Sequence, residues 1–317
     1  MQNSFSNGRK VSIIGVGFVG STIAYALMMR ELADEIVLID INKVASDAEA
    51  LDIRHGIPYM GLCQIHAGDY SDIVDSDLII ITAGKNRKPG QSRLDLASTN
   101  NSIIKDVCDN IKSHYNSGVV LVVTNPVDIM TAKVTEYLDL TKGSVFGTGC
   151  ILDSSRFSNV IADYLKISPD VVNAQIIGEH GSSQIAMWSK VAIAGLPIEE
   201  YCKYVGLPFD EIIKKDIEKT VKDMGATIIA GKGRTHYGIA TCVCYIADAI
   251  LNKRATIASV SSVLNGEYGI KGVALSIPSI ITSSGIERTL ADYLSDEEYK
   301  LIKQSFKILE DSLSTLN

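Results

Sequence analysis

The sequence predicts an α/β protein: a doubly wound parallel sheet in its first half, then a smaller mixed α+β part. Three observations carry this reading. Up to about residue 150, short Val- and Ile-rich runs alternate with helical segments. These runs are apolar at nearly every position, as expected of strands covered on both faces. A glycine-rich turn directly follows the first run, and past residue 150 the alternation gives way to long helical stretches and two adjacent strand-like runs.

The expected strands of the first half are KVSIIG (10–15), EIVLID (35–40), DLIIITAG (77–84), GVVLVVTNP (118–126) and SVFGTG (144–149). The segments between them are long enough for crossover helices, which join parallel strands in a right-handed sense. In the second half, 153–165 and 210–231 have helical patterning. ATIASVSSVLNG (255–266) and KGVALSIPSII (271–281) read as strands joined by the turn-prone GEYG. Ser295 with Glu298 three residues on forms a capping box. Ile302, Phe306, Leu309 and Leu313 then recur at helical spacing, so 296–315 is expected to be an amphipathic helix packed on one face. No repeat, low-complexity tract or Pro- or Ser-rich linker interrupts the chain. The boundary between 1–150 and 151–317 is therefore placed where the alternation ends.

Composition narrows the function classes. The 317 residues include 30 Lys plus Arg against 37 Asp plus Glu, a net charge of −7. That mild acidity lacks the basic stripe of a nucleic-acid binder. No apolar run reaches the length of a membrane helix. The N-terminal MQNSFSNGRKVSIIG resembles neither a signal peptide nor a transit helix. Six scattered cysteines (Cys63, Cys108, Cys150, Cys202, Cys242, Cys244) form no C-x-x-C pair, which favours idle thiols over disulfides or a metal site. A cytoplasmic protein of about two domains is expected, with no metal, no nucleic acid and no membrane.

Gly15-Val16-Gly17-Phe18-Val19-Gly20 fits G-x-G-x-x-G between the first strand and a helix. The first glycine permits the tight turn, the second lets a pyrophosphate approach the backbone, and the third lets helix and strand pack closely. The helix N-terminus then faces the phosphates. Asp40, twenty residues beyond Gly20, ends the second strand, where a carboxylate can accept hydrogen bonds from an adenosine ribose. An acid there repels a 2′-phosphate, and no arginine follows in Ile41-Asn42-Lys43. A Rossmann-type domain binding NAD is the expectation.

Three further segments place polar groups in apolar surroundings. IIGEHGSS (176–183) sets His180 between glycines. ILDSSRF (151–157) puts Asp153 and Arg156 three apart, on one helix face. TAGKNRKPGQSRLDL (82–96) is expected to be a loop after a strand, carrying Arg87, Lys88 and Arg93. Singly these would read as a structural histidine, a structural ion pair and a solvated basic loop. Together, and with TNPVDI and KGRTHYGIA in the same order, they resemble the L-lactate/malate dehydrogenase family, closest to its bacterial L-lactate members. The resemblance runs from Val11 to the C-terminal helix.

The resemblance implies an NAD-dependent L-2-hydroxy acid dehydrogenase. His180 would be the general acid/base, protonating the keto oxygen as hydride arrives; a histidine already titrates near the working pH. Asp153 would hold its tautomer and stabilise its cation. Arg156 would clamp the substrate carboxylate through two parallel hydrogen bonds. Arg93 would polarise the carbonyl once the loop closes over the site. Asn125 would contact the nicotinamide end and the substrate, and Thr235 and Ile239 would line the adjoining pocket. Thr82, Ala83 and Gly84 would complete the cofactor site.

The family's specificity position, six residues before the loop arginine, is Arg87 here. Lactate enzymes carry Gln there and malate enzymes Arg. Pyruvate would leave the guanidinium unpaired, whereas oxaloacetate offers a second carboxylate. An unpaired desolvated charge costs about 3–5 kcal/mol, enough to set selectivity. Ser182 also replaces the usual Asp two residues after the catalytic histidine, which removes a negative charge. Against these, Glu179 in GEHG and Thr235 in KGRTHYG match the lactate branch. L-Lactate dehydrogenase is the first expectation and malate dehydrogenase the alternative. A catalytically silent NAD-sensing protein on the same fold is the other-class alternative, disfavoured by the joint presence of His180, Asp153, Arg156 and Arg93. The resemblance further implies a homodimer or homotetramer. Two anion-binding positions of family members activated by fructose 1,6-bisphosphate are Ser158 and Asn173 here, so activation by that sugar phosphate is not expected.

Overall fold

A computed structural model describes residues 8–86, 93–291 and 293–316, without the side chains of 93 and 94. The first half runs β1 (Lys10–Ile14), α1 (Phe18–Met29), β2 (Glu35–Ile39), α2 (Lys43–Arg54), β3 (Gln64–Ala67), β4 (Leu78–Ile81), α3 (Arg93–His114), β5 (Val119–Val122), α4 (Val127–Leu138) and β6 (Val145–Gly147). These strands pair in the parallel order 3-2-1-4-5-6, the doubly wound arrangement that opens a crevice at the strands' carboxyl ends.

The apolar runs form central strands because both faces are covered. Leu78 and Ile80 of β4 face one layer with Ile23 and Leu27 of α1, while Ile79 and Ile81 face the other with Ile104 of α3 and Met130 of α4. All four β4 side chains are fully buried. The pattern predicts five of the six parallel strands and misses β3. That strand is four residues long and lies at the sheet edge, where only Ile65 is buried, so it carries no continuous apolar signature.

The second half runs α5 (Ile151–Leu165), β7 (Val172–Asn173), β8 (Ile176–Ile177), β9 (Ile185–Ala186), β10 (Ala192–Ile193), β11 (Leu196–Pro197), α6 (Ile198–Val205), α7 (Glu211–Lys232), α8 (Tyr237–Leu251), β12 (Thr256–Asn265), β13 (Lys271–Thr282), β14 (Gly285–Thr289) and α9 (Asp296–Ser314). Strands β12 to β14 do not form a separate sheet. They extend the parallel sheet antiparallel from β6, where Ser261 pairs with Gly147. Helix α8 returns to cover the first half's sheet beside α1, through Val243, Ile246 and Ile250. A smaller core under α5 gathers Phe157, Ile161, Val172 and Ile193, with Trp188 edge-on to Phe157 at 4.8 Å.

Helix α9 starts as its capping box dictates: Glu298 N–H donates to Ser295 Oγ at 3.3 Å and Ser295 N–H to Glu298 Oε2 at 2.9 Å. A box of this kind contributes about 1 kcal/mol. The six cysteines are unpaired, and burial pushes the Cys63, Cys108 and Cys242 thiols up to about 12. Among the described residues no helix is long and apolar enough to cross a membrane.

Candidate active site

The crevice begins at the glycine loop. Gly15 has φ +97°, and a Cβ there would lie 2.4 Å from the backbone N of Ala83; at Gly20 it would lie 2.0 Å from the carbonyl oxygen of Gly15. Both positions are closed to any side chain. A Cβ at Gly17 would meet nothing within 4 Å, so the second glycine faces open space at the start of α1. No side chain caps that helix, which leaves its first N–H groups directed at the opening.

The neighbouring strand ends complete this wall. Thr82 Oγ1 donates to the Gly15 carbonyl at 2.5 Å, and Thr124 Oγ1 donates to the Ala83 carbonyl at 2.8 Å. Gly84 packs so closely on Thr124 that a Cβ would lie 2.6 Å from its methyl group. The Asp40 carboxylate accepts from Val16 N–H at 2.7 Å and Asn42 N–H at 2.9 Å, which fixes it beside the loop. Asn125, just past β5, is exposed; its carbonyl accepts from Asn100 Nδ2 at 2.7 Å.

The second wall carries the titratable groups. His180 lies on the loop between β8 and β9, and its Nδ1 meets Asp153 Oδ2 at 2.5 Å. Arg156, one turn along α5, donates from Nη1 to the other oxygen, Asp153 Oδ1, at 3.1 Å. The Asp153 side chain is only 3% exposed, whereas that of His180 is 26% exposed and reaches the surface of the site. Burial alone would raise the Asp153 carboxyl, but the His180 and Arg156 charges outweigh it and hold the group below the usual carboxylate range. Burial alone would lower the His180 imidazole; Asp153, and then Asp128, outweigh it and raise its affinity for a proton.

Across from Arg156 runs α7, where a Cβ at Gly225 would lie 3.8 Å from the guanidinium. Thr235 sits half-buried in the turn from α7 to α8, and Ile239 packs partly buried against the core with Leu152 of α5. Ser182 is exposed and Glu179 fully buried. Arg87 and the side chain of Arg93 lie outside the described residues. The backbone corrects one expectation: Arg93 is the first residue of α3 rather than part of the loop.

Over residues 9–147 the chain matches the lactate/malate dehydrogenase NAD-binding domain, and over 150–317 the lactate/malate dehydrogenase alpha/beta C-terminal domain. The chain belongs to the lactate/malate dehydrogenase family. An L-lactate dehydrogenase of Acetivibrio thermocellus is 41% identical over 309 residues, which is 98% of each chain. One from Thermoanaerobacter pseudethanolicus is 42% identical over 308 residues, 97% of this chain and 99% of that one. The ligand-bound crystal structure of the minor L-lactate dehydrogenase of Enterococcus mundtii superposes with a TM-score of 0.94 at 37% identity, covering 98% of each chain.

The dehydrogenase fold leaves room for a dinucleotide at Gly17, where a Cβ would meet nothing within 4 Å, beside the uncapped start of α1 and the Asp40 carboxylate fixed on the glycine loop. One polar residue of the site escapes the sequence reading. Asp128, in TNPVDI, is 1% exposed; its Oδ2 accepts from the backbone N–H of His180 at 2.7 Å, and its Oδ1 from Ser261 Oγ at 2.7 Å. Burial pushes Asp128 up to about 6, opposed by Ser261 and His180. The available signal was an acid set among the apolar residues Val127, Ile129 and Met130 beside the singled-out Asn125.

Proposed function

We propose that this dehydrogenase is an NAD-dependent L-lactate dehydrogenase, converting pyruvate, NADH and a proton to L-lactate and NAD. The carrying observation is the His180–Asp153–Arg156 constellation, hydrogen-bonded around the buried Asp153 carboxylate, in a chain that also carries the glycine loop. The full-length likeness to enzymes named L-lactate dehydrogenase supports the choice of substrate. The half of the chain up to about residue 150 would hold the cofactor, and 151–317 would supply the acid/base and the carboxylate clamp.

Bound in the cradle, the cofactor supplies the hydride. Asp153 occupies Nδ1 of His180, so the proton passes to the keto oxygen from Nε2, and the anion beneath steadies the ring while it is charged. The Arg156 guanidinium is already oriented by Asp153 and presents its fork to the substrate carboxylate. Thr235, Ile239 and Asn125 would shape the pocket around the reacting carbon. Arg93, at the start of α3, would polarise the carbonyl. A homo-oligomer in the cytoplasm is the expected working form.

A second reading, malate dehydrogenase, rests on Arg87 at the specificity position and on Ser182 after the histidine. Both make the pocket more positive and favour a dianion. Comparing kcat/KM for pyruvate and oxaloacetate decides between them, in the native chain and in Arg87→Gln. A higher value for pyruvate in the native enzyme supports the lactate assignment. A higher value for oxaloacetate that collapses in Arg87→Gln assigns the malate reaction instead.

A further inference from the structure

Three elements converge on the peptide of His180. Asp153 of α5 grips its ring, Ser305 of α9 accepts the N–H of the preceding residue, Glu179, at 2.8 Å, and Asp128 of α4 accepts the N–H of His180 itself at 2.7 Å. Only the last comes from the segment that carries Asn125, three residues earlier, just past β5. Asp128 is in turn seated by Ser261 Oγ at 2.7 Å, on the strand that pairs with β6. Among the described residues, the buried Asp128 carboxylate accepts from a backbone N–H and a serine hydroxyl, neither of them a cation, and the His180 imidazolium one peptide away supplies positive charge that favours its anion.

We propose that Asp128, seated by Ser261, is a positioning residue for the proton transfer. It ties the peptide of His180 to the segment whose Asn125 would contact the nicotinamide, and its negative charge favours the protonated ring. The inference rests on the dehydrogenase reading above. Among the described residues, the groups facing Asp128 include Ser261 of β12, and His180 and Glu179 of the β8–β9 loop; those facing His180 include Asp153 and Arg156 of α5 and Asp128 of α4. Glu179 opposes a charge on Asp128, and Arg156 opposes one on His180, whereas Asp153 and Asp128 both favour the imidazolium. A division of labour follows: Asp153 selects the tautomer at the ring, and Asp128 fixes where the ring is placed.

Asp128→Asn tests this with the least change of shape. Its amide oxygen can still accept from His180 N–H and its amide nitrogen can donate to Ser261 Oγ, so the contacts survive while the charge is lost. Two readings are taken on the NADH complex. One is the alkaline limb of kcat/KM for the best 2-keto acid; the other is the ring-proton NMR titration of His180, assigned by its loss in His180→Asn. Reduction needs the imidazolium, and removing a favouring anion lowers its pKa, so both should move to lower pH by about one unit. Ser261→Ala keeps the carboxylate but removes a donor that favours its anion. It should move both readings the same way by less, and it replaces Asp128→Asn if that chain does not fold. A limb and a titration that match the native protein in the folded variant overturn the proposal, because a purely structural anchor would move neither. If the native protein oxidises NADH with no 2-keto acid, the dehydrogenase reading fails instead, and the NMR titration still decides the role of Asp128.

Discussion

Replacing Asp153 with Asn removes one charge from a buried part of the site and keeps its shape. The carboxylate lies 2.5 Å from His180 Nδ1 and 3.1 Å from Arg156 Nη1, with 3% of its side chain exposed. Solvent screens such a group little, so the loss approaches that of breaking a buried ion pair, about 3–5 kcal/mol. A rate falls tenfold for each 1.36 kcal/mol of barrier, which puts the loss in kcat/KM for pyruvate at about 10²–10⁴-fold. The same substitution should lower the imidazole pKa and move the alkaline limb of pyruvate reduction to lower pH. Cofactor affinity should stay within about threefold, because Asp153 hydrogen-bonds His180 and Arg156 and lies on α5, outside the glycine loop and its flanking strand ends. Stopped-flow NADH oxidation across pH gives the rate and the limb, and NADH fluorescence gives the affinity. A variant within about threefold of native activity, with its limb unmoved, would refute the role assigned to Asp153.

Two glycines in one motif should respond oppositely to alanine. Gly17→Ala places its methyl in open space, so the melting temperature should hold while NADH affinity drops by about tenfold or more; Gly20→Ala drives a methyl to 2.0 Å from a carbonyl oxygen and should lower stability by about 1–3 kcal/mol, seen as a lower melting temperature. The raised His180 pKa adds stability that is fully present below its unfolded value of about 6.5 and is lost as pH rises through the folded value. The melting-temperature advantage of native protein over His180→Asn should therefore shrink as pH climbs above neutrality. Fructose 1,6-bisphosphate should leave the KM for pyruvate unchanged, because Ser158 and Asn173 offer it no cation; a marked fall in KM would contradict this.

The parts of the site written as local patterns are legible in the sequence. The glycine turn, the Asp153–Arg156 spacing and the glycine-flanked His180 each need only a few neighbouring residues, and the structure brings Asp153, Arg156 and His180 into contact. The central strands are legible for the same reason, since cover on both faces leaves an unbroken apolar run. Edge strand β3 has cover too sparse to leave one. The packing of α8 beside α1, and the extension of the parallel sheet by β12 to β14, depend on contacts between distant segments that no local period encodes. Asp128 is hidden differently. An acid in the first turn of a helix is ordinarily explained by the helix dipole, and only the fold shows that its partners are Ser261 and the peptide of His180.

The most direct measurement is pyruvate-dependent NADH oxidation, taken side by side on the native chain and on His180→Asn. The native protein should reduce pyruvate, and the variant should lose about 10²–10⁴-fold in kcat while still binding NADH. Turnover by His180→Asn at the native rate, or NADH bound but not oxidised with pyruvate or any other 2-keto acid, would contradict the assignment.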